Sequence, residues 1–589
     1  MADEPHVIRG INWRETFPFT HIFRAFRIAI HPSKLVLALL ALLTLYIGGR
    51  ILDRVWSPNH RAVAREIEAY EAGDDLRAHR EQVRDYSAKA YARELQSIAD
   101  RKEGGPFAEL RDANRALEQA RDGKHTGHVK YRIRADRDAQ VAAAQADFDK
   151  ADKSTDAAAE AARRRFRERR QEIYDMAFRR HEAVEAIEGE GLFAAFFKYQ
   201  TDRINNVTQA VLNWDWLDPV SGVFANTLRF FTVAPAWAML HHWLYFLLFG
   251  ILFLVVWSLF GGAIARIAAV HVADEGRKLS VRQGLSFAVS KFLSFISAPM
   301  IPLLIVAIIG LALAVVNGVA HLLRIEIVIG ALWFLALAAG FVMTLVLIGT
   351  AGGFNLMYPT IAVEGSDSFD AISRSFSYVY AKPWRMLFYS ALAIAYGALT
   401  YLFVRTFIWL VLTLTHFFAG MLVYRDAAGG GNAWRTMFPA PDPRSLPYNV
   451  AYPMLSWYGD ITAFLLSFWN YLLISLLGAF AISFYFSVNT IIYYLMRREV
   501  DATEMDDVYL EQPEEDFAET PATTSPTAAP APGAPAAGAP APGGAPAGAP
   551  AGAATITPGS TTVITTGDAG AQTYVAPPAD AKPDAPPAT

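Results

Sequence analysis

Polar side chains inside long apolar stretches are the residues of this sequence best suited to chemistry. Arg405 interrupts one long apolar run, and Asn470 and Asn489 interrupt the next. Because a charged group at bilayer depth is costly, such residues line pathways or bond to polar groups of neighbouring helices. At that depth Arg405 would pair with Asp460 or Asn470; otherwise it would extend its guanidinium to the outer interface. Arg405, Asn470 and Asn489 are therefore candidate intramembrane polar groups.

A second group of candidates consists of cations placed just before apolar runs, where a helix would enter the membrane. A Lys or Arg at the cytoplasmic surface interacts with anionic lipid headgroups by roughly 1 kcal/mol. We therefore predict that lipids of the anionic inner leaflet are partners of two such segments. The candidate headgroup contacts are Arg24, Arg27, Lys34, Arg374, Lys382 and Arg385.

Three segments share one pattern, which is an amphipathic stretch, then proline, then an apolar run. The first and third share the motif Ile-x-Arg-x-Phe, beginning at Ile22 and at Ile372. Ser280 and Gln283 have the spacing of a capping box, and Asp367 can cap the third segment. At the inner leaflet the apolar faces would lie in the acyl boundary. These helices would form a lipid-binding collar, or they would serve only as entry helices.

Other chemistry is excluded by the sequence or lacks a motif. The chain contains no cysteine, which excludes disulfides, thiolate metal sites and cysteine nucleophiles. It has no phosphate-binding glycine loop, serine-hydrolase elbow or zinc-protease motif, and His241-His242 has no acid at ligand spacing. The net charge of −4 predicts no nucleic-acid partner. We therefore predict a protein without catalytic residues, cofactor or metal.

The elements that must position the candidate residues are membrane helices. The chain is 53% hydrophobic and 13% aromatic, and a bilayer core is crossed by about 20 apolar residues. The predicted fold is all-α, with about six transmembrane helices, amphipathic interfacial helices and an extracytoplasmic helical, coiled-coil-like domain. Because no Gly, Pro or Asn lies near Arg405, its run is not split. The predicted spans are 35–52, 242–264, 297–320, 327–348, 386–424 and 461–496.

Lys and Arg in the short connections predict the orientation, because they concentrate on the cytoplasmic side. This places both termini in the cytoplasm of a bacterium, with residues 53–230 outside the inner membrane. A retained first span, not a cleaved signal, is expected because a long polar and amphipathic segment precedes it. The predicted domains are a cytoplasmic amphipathic segment (1–34), the first span (35–52), an extracytoplasmic helical domain (53–190), an interfacial segment (191–241), a membrane domain (242–498) and a cytoplasmic tail (499–589).

The two polar domains differ in character. Segment 53–190 is rich in Ala, Glu and Arg with sparse apolar positions, so its helices need a partner helix or a second chain. We therefore predict a protein partner or self-association through this domain. The tail is acidic and then rich in Pro and Ala, a composition that predicts disorder.

The stretch MYPTIAVEGSDSFDAISRSFSYVYAKPWRMLFYSALAIAYG, residues 357–397, resembles a signature of bacterial membrane domains. The family is the glycerophosphoryl diester phosphodiesterase membrane-domain type with its uncharacterised relatives. Residues 265–299 look like a second copy, so the resemblance covers about 260–400. The resemblance implies a multi-pass membrane domain. In that family hydrolysis belongs to a separate soluble domain, which nothing in this sequence resembles.

The sequence names no reaction and no substrate. The expectation that fits it best is a non-enzymatic membrane protein that organises the membrane or acts as a scaffold for assembly. The alternative is a transporter or permease-like subunit for a lipid or small solute, moving between the last two long helices and the other spans. A membrane enzyme is a third interpretation.

Overall fold

The structure is a computed structural model that describes part of the chain. The described residues are 17–57, 60–99, 108–152, 154–274, 277, 279–324, 326–423, 432–450, 452, 455 and 457–509. The chain divides into two compact units, Met1–Glu511 and Gln512–Thr589, of which the second lies outside the described residues. The predictions for residues 1–16 and for the tail beyond residue 509 therefore also fall outside them.

The described part is helical, and no strand occurs in it beyond one isolated bridge between Ala62 and Glu190. A 3₁₀ turn, Pro18–Arg24, leads into the first helix, and a π-helical turn, Trp257–Gly261, joins the tenth to the eleventh. The helices are α1 Ala25–Ala29, α2 Pro32–Val55, α3 Glu66–Ala72, α4 Leu76–Ala99, α5 Ala113–Arg121, α6 Thr126–Lys150, α7 Asp156–Glu188, α8 Leu192–Leu212, α9 Val223–His241, α10 Trp243–Val256, α11 Gly262–Ala273, α12 Val281–Ser290, α13 Phe292–Leu322, α14 Glu326–Ala331, α15 Trp333–Glu364, α16 Ser368–Ala381, α17 Pro383–Gly420, α18 Ala433–Met437 and α19 Trp457–Asp501. The all-α prediction is confirmed for these residues.

Seven of these helical stretches are long and apolar enough to cross a membrane, by length and composition. Six of them overlap the six predicted spans. The seventh is α9, which belongs to the segment 191–241 that the sequence indicated as interfacial. Asn226, Arg229 and Pro235 interrupt α9, and its mean hydropathy of 1.2 is the lowest of the seven. The multi-pass helical architecture is therefore shown by composition, whereas the number of helices that cross stays a prediction.

The last helix, α19, lies at the centre of the largest apolar core. It packs against α1, α2, α11, α15 and α17. Its residues from Ile491 to Met496 are buried and belong to that core. Helices α17 and α19 are each continuous, with 38 and 45 residues, and Arg405 lies inside α17 without breaking it.

The amphipathic helices α12 and α16 pack back against the helices that precede them, α11 and α15. Glycine makes the approach of α16 close, because a Cβ on Gly349 would lie 2.8 Å from Phe376 and one on Gly352 2.8 Å from Val379. Most of the apolar face of α16 is thus covered by protein, and Phe369 is exposed. The sequence had indicated that this face contacts lipid.

Helices α4, α5, α6 and α7 form a bundle with its own apolar core. Beyond that core, α6 and α7 continue as a two-helix projection, residues 139–172, which we call the arm. No described residue of the arm is buried. Its one described aromatic contact joins Phe148 and Phe166, with ring centroids 5.3 Å apart. The arm is therefore a polar hairpin with little apolar packing of its own.

The end of α2 holds the start of α8 through one buried carboxylate. Asp53 accepts hydrogen bonds from the backbone N of Phe193 at 2.9 Å and of Ala194 at 3.2 Å. The hydroxyl of Tyr245 in α10 donates to the same carboxylate at 2.7 Å. Backbone N–H groups at a helix start lack intrahelical partners, so Asp53 supplies the cap that α8 lacks in its own sequence.

Candidate functional site

Charged side chains gather where the last turns of α19 meet the end of α15 and the helix α16. This group, which we call the Arg497 cluster, consists of Glu364, Arg374, Arg497, Glu499 and Asp501. Arg497 is 6% exposed, and its Nε lies 2.8 Å from Oε1 of Glu364. The hydroxyl of Tyr493 donates to the same oxygen at 2.9 Å. Glu364 is thus held by a buried cation and a hydroxyl donor.

The local sequence explains why Glu364 needs a cation. It is the last residue of α15, and Gly365 follows with φ +65°, the left-handed conformation that ends many helices. A carboxylate there faces the negative end of the helix dipole, which Arg497 offsets. Asp367 then begins α16 by accepting a hydrogen bond from the backbone N of Asp370 at 2.9 Å, which confirms the predicted cap.

Three of the predicted headgroup cations lie in this region. Lys382 donates from Nζ to Oε2 of Glu499 at 3.2 Å, and Arg385 pairs with the same carboxylate. Arg374 donates from Nε to Oδ1 of Asp370 at 3.0 Å. All three cations thus have carboxylate partners within the chain, and contact with lipid headgroups stays a prediction.

The charge of Arg374 is stabilised by its surroundings. Burial acts to lower the pKa of Arg374, but the hydrogen bond to Asp370 and the charge of Glu364 raise it above its usual value. The cluster is therefore a set of permanently charged pairs that join the ends of α15, α16, α17 and α19. Such an arrangement suits mechanical attachment of helix ends, since no group in it is placed as a nucleophile beside a base.

The segment that follows α19, residues 502–509, folds back over the cluster, and we call it the strap. Arg497 donates from Nη2 to Oδ2 of Asp507 at 2.7 Å. The backbone N of Tyr509 donates to a carbonyl in the last turn of α15 at 2.8 Å. Arg266 of α11 donates from Nη2 to the carbonyl of Tyr509 at 2.7 Å. Sequence reasoning missed the strap and took this stretch as the start of the acidic tail, although apolar side chains alternate with its acids.

The other three predicted headgroup cations lie in the N-terminal segment and at the start of α2. Lys34 is fully buried, with Nζ 3.4 Å from Nδ1 of His271. Arg24 lies 3.2 Å from Nδ1 of His21, and the side chain of Arg27 is exposed. The described contacts of these cations do not include the Arg497 cluster, so the six predicted residues do not form one site.

Arg405 is buried, and its described hydrogen-bond acceptors are all neutral. Its Nη2 donates to Oδ1 of Asn205 in α8 at 3.1 Å, and to backbone carbonyls of residues 443–444 at 3.4 and 2.9 Å. Neither Asp460 nor Asn470, the partners that the sequence offered, is among these acceptors. The side chain thus connects α17 to α8 and to the connection before α19.

The two asparagines of α19 make separate local contacts. Asn470 donates to the hydroxyl of Tyr448 at 2.8 Å, whereas Asn489 donates to the backbone carbonyl of Tyr485 one turn earlier at 2.9 Å. The structure therefore does not bring Arg405, Asn470 and Asn489 together in one polar site.

A second ionic cluster surrounds Glu66, which is 2% exposed. Arg80 lies 2.5 Å from Oε1, the indole of Trp237 donates to it at 3.0 Å, and Nε2 of His242 lies 3.3 Å away. The backbone N of Val63 donates to Oε2 at 3.0 Å. The acid that His242 lacks nearby in the sequence is thus supplied by α3, far along the chain. No three His, Asp or Glu side chains are grouped as metal ligands within the described residues.

Burial alone acts to raise the pKa of Glu66. Hydrogen bonds from His242 and Arg80, and then from the backbone of Val63, outweigh burial and hold the pKa well below its usual range. Glu66 therefore stays ionised, and its charge joins α3 and α4 to the junction of α9 and α10.

No family model, curated protein or solved structure matches the chain. The proposal below therefore rests on contacts within the chain.

Proposed function

We propose that the chain is a multi-pass scaffold of a bacterial inner membrane, which carries a polar helical bundle on one side and a polar tail on the other. The observation that supports it most is the length of α19. Its 45 residues extend about 66 Å at about 1.5 Å per residue, against about 30 Å for a bilayer core. Near its start, the charge of Asp460 interacts with Arg134 and Arg137 of α6. Its other end carries the Arg497 cluster and the strap.

The arm supports a role in binding another protein. The positions that its two helices expose are mainly charged side chains, glutamine and alanine. Helices of this kind gain stability from an additional partner. The arm is therefore the part of the bundle through which we propose that partners are captured.

The proposed topology has both termini in the cytoplasm and the bundle outside. It follows from the Lys and Arg of the short connections, and the resemblance of residues 260–400 to a membrane-domain family is consistent with it.

Cysteine labelling is expected to report this topology, because the chain has no cysteine of its own. A membrane-impermeant maleimide added to intact spheroplasts should label Ser154→Cys in the arm. The same reagent should label Ala522→Cys in the tail only after lysis. Labelling in the reverse order, or of both positions before lysis, would contradict the topology.

Excision of the arm is expected to abolish partner capture. Residues 139–171 would be replaced by a short Gly/Ser loop, which leaves the core residues Val129, Ile133, Ala177 and Val184 in place. Crosslinking in native membranes followed by mass spectrometry would identify proteins bound to the full chain. Those proteins should be lost from the excised variant, while its amount in the membrane is unchanged. Equal recovery from both would rule out capture through the arm.

A transporter remains the second candidate because of Arg405, a buried cation whose described acceptors are neutral. Intramembrane cations of this kind occur in substrate pathways. The scaffold proposal expects Arg405→Gln to retain partner capture and purified protein to move no lipid or solute in proteoliposomes. Flux that is lost in Arg405→Gln would favour the transporter instead.

A further inference from the structure

One flank of α7 within the arm carries four charged side chains in a simple order. Asp156, Glu160, Arg163 and Arg167 follow each other at spacings of four, three and four residues, which places them in one row along the helix. All four are exposed. Across the described residues none of the four makes an ion pair within 4.0 Å. The row, which we call the stripe, therefore presents two acids followed by two bases to its surroundings.

We propose that a second copy of this chain binds the stripe, with the two α7 helices antiparallel. This order of charges is self-complementary under a two-fold axis, as an isologous interface requires. Asp156 of one copy then lies opposite Arg167 of the other, and Glu160 lies opposite Arg163, with the axis passing between residues 161 and 162. The two-fold produces each of these pairs twice, so four ion pairs form.

The charge order also decides between possible occupants. An anionic polymer would be attracted by Arg163 and Arg167 but repelled by Asp156 and Glu160 on the same flank. A parallel pair of copies would place like charges opposite each other. Copies in one membrane share an axis along the membrane normal, so antiparallel arms must cross that axis. The antiparallel second copy is the occupant that matches every charge of the stripe.

The inference rests on the proposed scaffold function, since it names the first partner that the arm captures. It is tested with charge variants of the full chain in membranes. Arg163→Glu with Arg167→Glu makes the stripe wholly acidic, and Asp156→Arg with Glu160→Arg makes it wholly basic. The variant with all four substitutions reverses the order and is again self-complementary. Arg165→Glu with Arg169→Glu is the matched control, because it changes the same charge on another flank of α7.

Ala161→Cys, added to every variant, provides the readout through a short thiol crosslinker between two differently tagged copies. We expect crosslinked dimer from the parent, from the matched control and from the fourfold variant. The wholly acidic and wholly basic variants should each lose about tenfold or more, because like charges then face each other. Coexpression of these two variants should restore the crosslink between them, which also shows that both are folded.

Three results would overturn the inference. They are full crosslinking of both twofold variants, loss in the acidic variant alone, which indicates an anionic partner, and no recovery on coexpression. The scaffold function has a separate test, because arm excision is scored by the proteins recovered from native membranes. If only other proteins are lost on excision while the stripe variants crosslink normally, the scaffold survives and the second-copy inference fails.

Discussion

Replacing Arg497 by alanine is expected to lower the stability of the protein by about 3–5 kcal/mol, the range measured when one member of a buried ion pair is removed. Arg497 is 6% exposed and contacts both Glu364 and Asp507. Without it, the carboxylate of Glu364 stays at the end of α15 beside the negative end of the helix dipole. The strap loses its side-chain anchor at the same time. The variant therefore affects both the helix ends and the strap.

Thermal unfolding of detergent-purified protein would measure this loss. Arg498→Ala is a matched control, because Arg498 is the neighbouring residue, is only half-buried and has no described ion pair. It should leave the midpoint almost unchanged. Limited proteolysis would report the strap, since cleavage within residues 502–509 should accelerate in Arg497→Ala alone. Equal midpoints and cleavage rates for the two variants would contradict the role given to Arg497.

The second large effect is expected from Glu66→Gln. The glutamine keeps the shape of the side chain but removes the charge that Arg80 faces, and one of its polar atoms becomes a donor. Because Glu66 is almost fully buried with Arg80, Trp237 and His242 around one oxygen, we expect a loss of about 3–5 kcal/mol. The detachment of α3 and α4 from the junction of α9 and α10 should appear as faster hydrogen exchange in those helices.

The effect of Glu66→Gln should depend on pH in a defined direction. The pKa of Glu66 in the folded protein lies below its usual value of 4.5. A carboxylate with a lowered pKa contributes its full stabilisation above the usual value and loses it as pH falls through the folded pKa. The stability difference between wild type and variant should therefore be constant above about pH 5 and shrink as the pH falls further. A difference that grows towards acid would contradict the assignment.

Features that depend on neighbouring residues could be predicted from the sequence. The capping box of Ser280 with Gln283 and the cap of Asp367 are both present, because such bonds connect residues three positions apart. The helical class and the apolar runs follow from composition and run length alone. The helix α9 was missed because its polar interruptions lower its hydropathy to the limit.

Features that depend on residues distant in sequence could not be predicted. Glu66 and His242 are separated by 176 positions, and no periodicity connects them. The acceptors of Arg405 lie on α8 and on an irregular connection, whereas sequence reasoning could offer only polar residues of the adjacent apolar run. Lys382 and Arg385 were expected to face lipid because the acidic partner, Glu499, lies beyond the last predicted span.

The continuity of α19 has a mechanical consequence. Its 45 residues contain no proline, and its two ends contact different parts of the fold. A helix is stiff along its axis, and kinks are concentrated at proline and similar interruptions. An axial push or a rotation applied at the end near Arg134 and Arg137 would therefore arrive at the strap nearly undiminished. The protein thus contains a push-rod about 66 Å long, and force on its arm and occupancy of its strap are two ends of one lever.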